Sequence, residues 1–238
     1  MSAELVAIAM EIANKKFLVV GASGVLGAEL TKQLRAKGAE VMGTASSNDS
    51  AGKIPTVAEV RLLLQLTEPE SITTLTEYLV AASGVDGIIN AAGVVAFGPV
   101  SELKSETIDS LTKINFAGPL QLFAELHPAL KASAEAGNEP VLVNITGVVA
   151  ETPMPQLAAY SGSKTAIHGM LQGLTREWRR DGIRVLSARP GHTETGLAQR
   201  AIQGEAPQFP QGFTAEHVAT KIIEAIENDE KDLPSTAF

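Results

Sequence analysis

The sequence has no cysteine, few aromatic side chains and no long apolar run. Without cysteine the chain can form neither disulfide bonds nor thiolate metal sites, and we expect a cytoplasmic protein. No apolar stretch approaches the ~20 residues of a transmembrane helix. A formal net charge of −8 opposes binding to nucleic acids and to anionic membranes. The four histidines lack the HxxH and HxxxH spacings of ligand pairs, so we expect no metal site.

The 238 residues fit one domain with a sizeable core. Apolar residues make up 45% of the chain and aromatic residues only 4%, a balance that favours helices packed on a sheet. Strand-like runs alternate with helix-period segments, which predicts a single α/β domain with a doubly wound parallel sheet. The predicted strands are Phe17–Val20, Glu40–Gly43, Val60–Leu64, Gly87–Asn90, Val141–Ile145 and Ile183–Ser187, and the predicted helices are Val25–Lys37, Pro69–Ala82, Ser105–Lys131 and Leu157–Arg180.

Some segments stand outside this alternation. Residues 1–14 are expected to form an N-terminal extension of a domain at 15–238, and a second interpretation is that Met10 is the true start. The irregular segment at about 191–212 is typical of a lid or binding loop. His127 and Pro128 are expected to mark a helix end, and Asp232–Phe238 a short last strand. The extension is expected to be amphipathic, because Leu5, Ile8 and Ile12 share one helical face.

Glycines follow the first predicted strand in Gly21-Ala-Ser-Gly-Val-Leu-Gly27. They permit a tight turn and a close backbone approach, and the following helix offers its N-terminus to phosphate groups. The alternative is a strand-to-helix turn that binds nothing. The position directly after the first strand favours a dinucleotide site.

Tyr160 and Lys164 are separated by one helical turn, which places both side chains on the same helix face. Held against a cofactor, the lysine ammonium would lower the pKa of the phenol, so that the tyrosine exchanges a proton near neutral pH. This pair suits the reduction of a carbonyl or the oxidation of an alcohol. The spacing alone is a weak signal, because Tyr and Lys often recur at it on solvated helices.

Further motifs occur in an order that resembles the short-chain dehydrogenase/reductase family from about Lys16 to Thr195. Asn90-Ala-Ala-Gly93 resembles the NNAG signature, Asn115 the helix asparagine, and Pro190-Gly-His-Thr-Glu-Thr195 the PGxxxT loop. The resemblance implies a Rossmann fold with Tyr160 as proton donor or acceptor. It also implies that Lys164 binds the nicotinamide ribose and that Asn115 holds a water in a proton relay. Thr193 and Thr195 would hold the nicotinamide carboxamide and the diphosphate.

The resemblance implies a cofactor site along the carboxyl edge of the sheet. No acidic residue ends the second strand, where one would select NAD, and no arginine is present there for a 2′-phosphate. Thr44, Ser46 and Ser47 are candidate donors to such a phosphate, so NADP is favoured over NAD. The predicted cofactor-binding residues are Gly21, Ser23, Gly24, Val25, Leu26, Gly27, Ser46, Gln65, Leu66, Asn90, Ala91, Tyr160, Lys164, Pro190, Thr193 and Thr195.

Two departures from the family pattern bear on activity. The glycine spacing is GxxGxxG, as in the family's extended, epimerase-like branch, but the chain is too short for that branch's substrate domain. Gly147 occupies the place of the catalytic serine, whose hydroxyl would bond the substrate oxygen and contribute ~3 kcal/mol. Thr146 is expected to face away, because neighbouring strand residues alternate sides. If Gly147 is simply a lost donor, Gly147→Ser is expected to raise turnover.

These observations predict an NAD(P)-dependent oxidoreductase that transfers a hydride to or from a small apolar carbonyl or alcohol, with Phe97, Met154 and Leu157 lining the pocket. One alternative is a regulatory or sensor protein that binds NAD(P) with little turnover, because Gly147 replaces the serine. Another is an epimerase or dehydratase, suggested by the glycine spacing. The resemblance also implies a homodimer or homotetramer built on the two long helices. The residues that could serve both the core and that interface are Leu120, Leu122, Phe123, Leu126, Ile167, Leu171 and Leu174.

Overall fold

The computed structural model of the chain describes residues 10–82 and 84–238. Within that part of the chain, six parallel strands form one sheet in the order β3-β2-β1-β4-β5-β6. The predicted single, doubly wound α/β fold is confirmed. The strand order reverses between β1 and β4, and ligands bind beyond the carboxyl ends of the strands at such a switch point. The strands are β1 (Lys16–Val20), β2 (Glu40–Ala45), β3 (Val60–Leu63), β4 (Gly87–Asn90), β5 (Val141–Ile145) and β6 (Arg184–Ala188).

Helices cover both faces of the sheet because the strands are apolar on both sides. Phe17 and Val19 of β1 belong to one buried cluster, and Leu18 and Val20 to the other. The first cluster includes residues of α1 and α7, and the second includes residues of α3, α5 and α6. The helices are α1 (Val25–Ala36), α2 (Asn48–Ala51), α3 (Pro69–Ala81), α4 (Ser105–Thr112), α5 (Gly118–Glu135), α6 (Ala158–Trp178) and α7 (Ala215–Glu227).

The predicted helix Ser105–Lys131 is not continuous. A π-helical turn, Lys113–Ala117, separates α4 from α5 and carries Asn115. The expected helix end at His127 and Pro128 is wrong, because α5 continues to Glu135 with Pro128 inside it. An internal proline costs ~3 kcal/mol. Leu126 and Leu130, on either side of it, are fully buried, and each contributes about 1.5–3 kcal/mol, which outweighs that cost.

Both chain ends depart from the predicted elements. Met10 and Ile12 are buried in the core cluster on the α1 side of the sheet, and residues 10–12 are not helical. The other two members of the predicted amphipathic face, Leu5 and Ile8, lie outside the described residues. The predicted last strand is reduced to one parallel bridge between Leu233 and Ala188, after which the tail turns into the 3-10 helix Ser235–Ala237.

Most of the residues predicted to serve the subunit interface are used inside the protomer. Leu120 and Leu174 are partly exposed, whereas the other five are almost completely buried. Any interface built on these helices must therefore use Leu120, Leu174 or other exposed side chains. The five buried residues are Leu122, Phe123, Leu126, Ile167 and Leu171.

Candidate active site

A cleft of about 700 Å³ lies at the carboxyl edge of the sheet. Its walls include residues that directly follow strands, among them Gly21 after β1, Ala91 after β4, Thr146 after β5 and Pro190 near the end of β6. The cleft therefore spans the switch point between β1 and β4, which is the expected place for a bound ligand.

The glycine turn forms one end of the cleft. All six residues of the turn that were predicted to bind the cofactor line the wall: Gly21, Ser23, Gly24, Val25, Leu26 and Gly27. A Cβ on Gly27 would collide with the carbonyl oxygen of Gly21, so only glycine allows α1 to start so close to the turn. The first turn of α1 has no acidic residue and no side-chain cap. Its N–H groups are therefore available to an anionic group.

The β2 end of the cleft differs partly from the prediction. Ser46, Gln65 and Leu66 line the wall as expected. Thr44 lines it too, but its hydroxyl accepts a hydrogen bond from Gly21 N at 3.1 Å and so orients the glycine turn. The hydroxyl of Ser47 caps α2 and exchanges hydrogen bonds with Ser50, so it is not a free donor to a phosphate.

Tyr160 and Lys164 occupy the middle of the cleft on the first turns of α6. Lys164 Nζ lies 5.9 Å from the centroid of the Tyr160 ring and donates to Ile145 O at 3.2 Å. Burial raises the pKa of Tyr160 to about 12 and lowers the pKa of Lys164 to about 8. Burial thus favours the neutral form of both groups, and the lowering of the Tyr160 pKa in a cofactor-bound site stays a prediction.

Asn115 and Asn90 are buried behind the cleft and are absent from its lining within the described chain. Asn115 Oδ1 accepts from Val94 N at 3.0 Å, and its Nδ2 donates to Val94 O at 2.9 Å and to Ser163 Oγ at 3.0 Å. Ser163 in turn donates to Tyr160 O at 2.7 Å. The asparagine therefore fastens the π-helical turn to the backbone after β4 and to α6.

Asn90 plays a similar part between two strands. Its Nδ2 donates to Asn144 Oδ1 at 2.7 Å, and its Oδ1 accepts from Ala92 N at 3.2 Å. The bond joins the ends of β4 and β5 beneath the cleft. Asn144 was not predicted, and its signal was a buried amide at the end of an otherwise apolar strand.

Gly147 lies on the cleft wall with φ +88° and ψ 158°. This backbone region is essentially restricted to glycine, so the residue is more than a serine that lacks its hydroxyl. Thr146 supplies no substitute, because its hydroxyl is bonded to Ser187 Oγ at 2.7 Å and to Ala188 O at 3.3 Å. Thr146 still lines the cleft, but its hydroxyl is directed to β6, as expected for a side chain that faces away from residue 147.

An apolar pocket adjoins Tyr160. Val95, Phe97, Val149 and Leu157 are buried there, and Leu197 and Phe209 of the 191–212 loop pack against them. Two backbone bonds, Phe97 N to Gln203 O at 2.8 Å and Ile202 N to Val95 O at 2.9 Å, hold that loop in place. The predicted pocket residues Phe97, Met154 and Leu157 all line the cleft, as do Pro190, Thr193 and Thr195.

A buried cation stabilises the segment after Gly147. Arg189 is 4% exposed and bonds Asp232 through both terminal nitrogens, at 2.6 and 2.7 Å, and Glu151 through Nε. Partial burial acts to raise the pKa of Glu151, but hydrogen bonds from Ser235 and Arg189 outweigh it and hold that pKa below its ordinary value. The C-terminal tail is thereby tied to the residue directly before Pro190, which lines the cleft.

Sequence reasoning missed several wall residues. Val95 and Val149 gave no motif, and Arg200 lies in an irregular loop where no periodicity indicates which side chains face inward. Among residues 10–82 and 84–238, no group of three or more His, Asp or Glu side chains is arranged to hold a metal ion. No helix in the same ranges has the length and apolar character needed to cross a membrane.

Comparisons with known proteins agree with this geometry. The chain is 26% identical over 229 residues to the vibriobactin-specific 2,3-dihydro-2,3-dihydroxybenzoate dehydrogenase of Vibrio cholerae, covering 88% of this chain and 86% of that protein. A short chain dehydrogenase from Burkholderia cenocepacia in complex with NADP has a TM-score of 0.81 at 23% identity, covering 96% of this chain and 91% of that one.

A 3-ketoacyl-(acyl-carrier-protein) reductase from Brucella melitensis, complexed with NADH, has a TM-score of 0.83 at 20% identity. The alignment covers 94% of this chain and 97% of that one. At these identities the two structures show a shared fold. The profile of the short chain dehydrogenase family matches residues 15–206, well over half of the sequence. The chain therefore belongs to the short chain dehydrogenase family.

Proposed function

We propose that this chain is an NAD(P)-dependent oxidoreductase that transfers a hydride to or from a small apolar carbonyl or alcohol. The observation that carries the proposal is that one cleft joins the glycine turn, the Tyr160–Lys164 pair and the apolar pocket. A dinucleotide along the sheet edge would reach from α1 to that pair. The NADP and NADH complexes of the two similar structures support this choice of cofactor.

The residues present fit such a cofactor. The N-terminus of α1 is uncapped by side chains, and no Asp or Glu is among the described residues of the cleft wall. Residues 21–27 would hold the diphosphate, and Thr193 and Thr195 the nicotinamide end. We favour NADP over NAD because Ser46 replaces the acidic residue that would repel a 2′-phosphate. Once bound, the nicotinamide supplies or accepts the hydride.

Tyr160 would transfer the proton at its Oη, donating it to the substrate oxygen in the reductive direction. Lys164 would bind the nicotinamide ribose and, when charged, lower the pKa of the phenol. Asn115 would hold a water that links Lys164 to solvent. Since Gly147 offers no side-chain donor to the substrate oxygen, we expect turnover to be slow for this family.

The proposal extends to the substrate, the cellular location and the oligomeric state. We propose a small-molecule substrate, a cytoplasmic location and a homodimer or homotetramer. The apolar pocket supports the first, and the absence of cysteine is compatible with the second. Light scattering at several concentrations would test the third.

The test is NADPH and NADH oxidation with a panel of small aldehydes and ketones, compared between Tyr160→Phe and Tyr78→Phe. Tyr78 is 45% exposed on α3, so it controls for the loss of a phenol hydroxyl elsewhere. We expect Tyr160→Phe to lower turnover by roughly 100- to 10,000-fold, as for loss of a general acid, while nicotinamide fluorescence shows unchanged cofactor binding. Activity that survives this change would contradict the role of Tyr160. Binding of NADPH without oxidation by any carbonyl would instead favour the sensor alternative.

A further inference from the structure

The cleft has a charge opposite to that of the whole chain. The net charge is −8, yet none of the described wall residues is Asp or Glu. The charged side chains on the wall are Lys164 and Arg200. Burial lowers the pKa of Lys164 to about 8, so it is only partly charged near that pH, whereas an arginine stays protonated. Arg200 is therefore the permanent cation of the cleft.

Arg200 is held in place by backbone carbonyls. It lies on the 3-10 helix Ala198–Arg200 of the 191–212 loop. Its Nε donates to Gly196 O at 3.0 Å, and its Nη2 donates to Thr195 O at 3.3 Å. Two of the five N–H donors of the guanidinium are thus used, and the others point to no protein acceptor within the described chain.

Three other arginines are neutralised by carboxylates, and the remaining ones, Arg61, Arg176, Arg179 and Arg180, do not line the cleft. Arg35, Arg184 and Arg189 each contact an acidic side chain, at Glu59, Asp229 and both Glu151 and Asp232 respectively. No carboxylate in the described ranges lies within 4.0 Å of the Arg200 guanidinium. A tethered, unneutralised guanidinium on the wall of a cleft without acids is suited to a carboxylate or phosphate, which it can bind through two parallel hydrogen bonds.

We propose that Arg200 is the anion-binding residue of the cleft and contacts a carboxylate or phosphate group of the molecule bound there. The neighbouring residues Leu197 and Ala198 pack, as Tyr160 does, against the buried cluster of the apolar pocket. A substrate with a carboxylate at one end and an apolar body would satisfy both features. The other source of the same chemistry is a phosphate of the cofactor. The inference rests on the proposed function only in taking NAD(P)H and a carbonyl compound as the occupants.

The experiment compares wild type, Arg200→Gln and Arg180→Gln. Arg180 is exposed beyond the C-terminal end of α6, which is roughly 30 Å along the helix from Ala158, so Arg180→Gln makes the same charge change far from the cleft. Titration calorimetry measures binding of NADPH and NADH, and then of 4-formylbenzoate and its uncharged methyl ester to the NADPH-saturated protein. These are binding measurements, so they remain informative if no carbonyl is turned over and the proposed reaction fails.

We expect 4-formylbenzoate to bind Arg200→Gln about two- to fivefold more weakly than wild type, in line with a solvent-accessible ion pair, while the ester is unaffected. Added salt should weaken the wild-type interaction and leave that of the variant unchanged. An equal loss for NADPH and NADH would place the anion on the cofactor and would still support the proposal. Unchanged binding of all four probes, or an equal loss in Arg180→Gln, would overturn it.

Discussion

Substitution of Gly147 should reveal a cost that comes from the backbone alone. At φ +88° and ψ 158° an L-residue is strained by about 1–3 kcal/mol. Space is not limiting, because the nearest atoms to an added Cβ would be Pro190 O at 3.8 Å and Val149 Cγ2 at 4.0 Å. We therefore expect Gly147→Ala and Gly147→Ser to lower the free energy of unfolding by the same amount, about 1–3 kcal/mol.

The backbone around Gly147 resists relaxing to an ordinary conformation. Thr146 N and Gly147 N both donate to Ala188 O, at 2.8 and 3.3 Å, and Val148 N donates to Pro190 O at 2.9 Å. A change in φ at residue 147 would disturb these bonds, each of which contributes about 0.5–1.5 kcal/mol. Strain and relaxation therefore carry similar costs, and neither route avoids a loss of stability.

Urea denaturation gives the free energy, and the melting temperature should fall by about 2–4 °C for each kcal/mol in a chain of this length. Gly169→Ala is the matched control. Gly169 is exposed on α6, and an added Cβ there has no atom within 4 Å. Alanine should raise the free energy of unfolding at this helical position by about 0.5–1 kcal/mol. A loss below about 0.5 kcal/mol for Gly147→Ala would refute the strain argument, since it falls under the range for this backbone region.

The same pair of variants isolates the effect of a hydroxyl on turnover. Gly147→Ser and Gly147→Ala share the strain, so their activity ratio reports the serine oxygen alone. The Cβ direction leads toward Pro190 O, an acceptor that can take the hydroxyl proton away from the substrate. We expect the two variants to agree within about threefold, well short of the ~100-fold or more that an aligned donor supplies. A large gain for serine would show that the backbone rearranges and that the site only lacks a donor.

Two further predictions concern charged groups. Lys164→Met should raise the free energy of unfolding at pH 7 by up to about 3 kcal/mol, because the folded pKa of about 8 lies below the ordinary 10.5. For the same reason wild-type stability should rise with pH between these two values in urea titrations, and Lys164→Met should lack that rise. The pKa of Glu151 is lowered on folding, so its contribution is present above its ordinary value of 4.5 and is lost as pH falls below it. The stability difference between wild type and Glu151→Gln should therefore shrink on acidification, and a difference independent of pH would contradict the assigned ion pair.

The strands were predictable because parallel strands that are buried on both faces appear in the sequence as continuous apolar runs. Gly87–Asn90 and Val141–Ile145 have the predicted bounds, and β6 is displaced by one residue. Elements that depend on distant contacts were not predictable. The continuation of α5 through Pro128 depends on burial of its neighbours, and the last strand fails because only Leu233 reaches the sheet edge.

The candidate site likewise has features that could be predicted from the sequence and features that could not. Sequence spacing places Tyr160 and Lys164 on one helix face, and glycine spacing predicts the turn between β1 and α1, because both are local geometry. The pairing of Ser47 with Ser50 in a capping box, which competes with an external phosphate for the Ser47 hydroxyl, was not foreseen from the sequence. Arg200 was missed because a loop without period carries no information on which side chains face inward.

The protonation of the buried pair bears on the direction of the proposed reaction. Reduction requires Tyr160 as a phenol that donates its proton, whereas oxidation requires a phenolate that accepts one. Burial raises the pKa of Tyr160 to about 12 and lowers that of Lys164 to about 8, so the site holds the phenol and weakens the charge that would stabilise the phenolate. The missing donor at Gly147 would have helped a negatively charged substrate oxygen in either direction. In reduction, a protonated Tyr160 would donate to that oxygen as it transfers its proton, and would so take over part of that task. Before a cofactor binds, the protonation of this pair is therefore the one that carbonyl reduction requires, and oxidation would require the cofactor-bound site to lower the pKa of Tyr160.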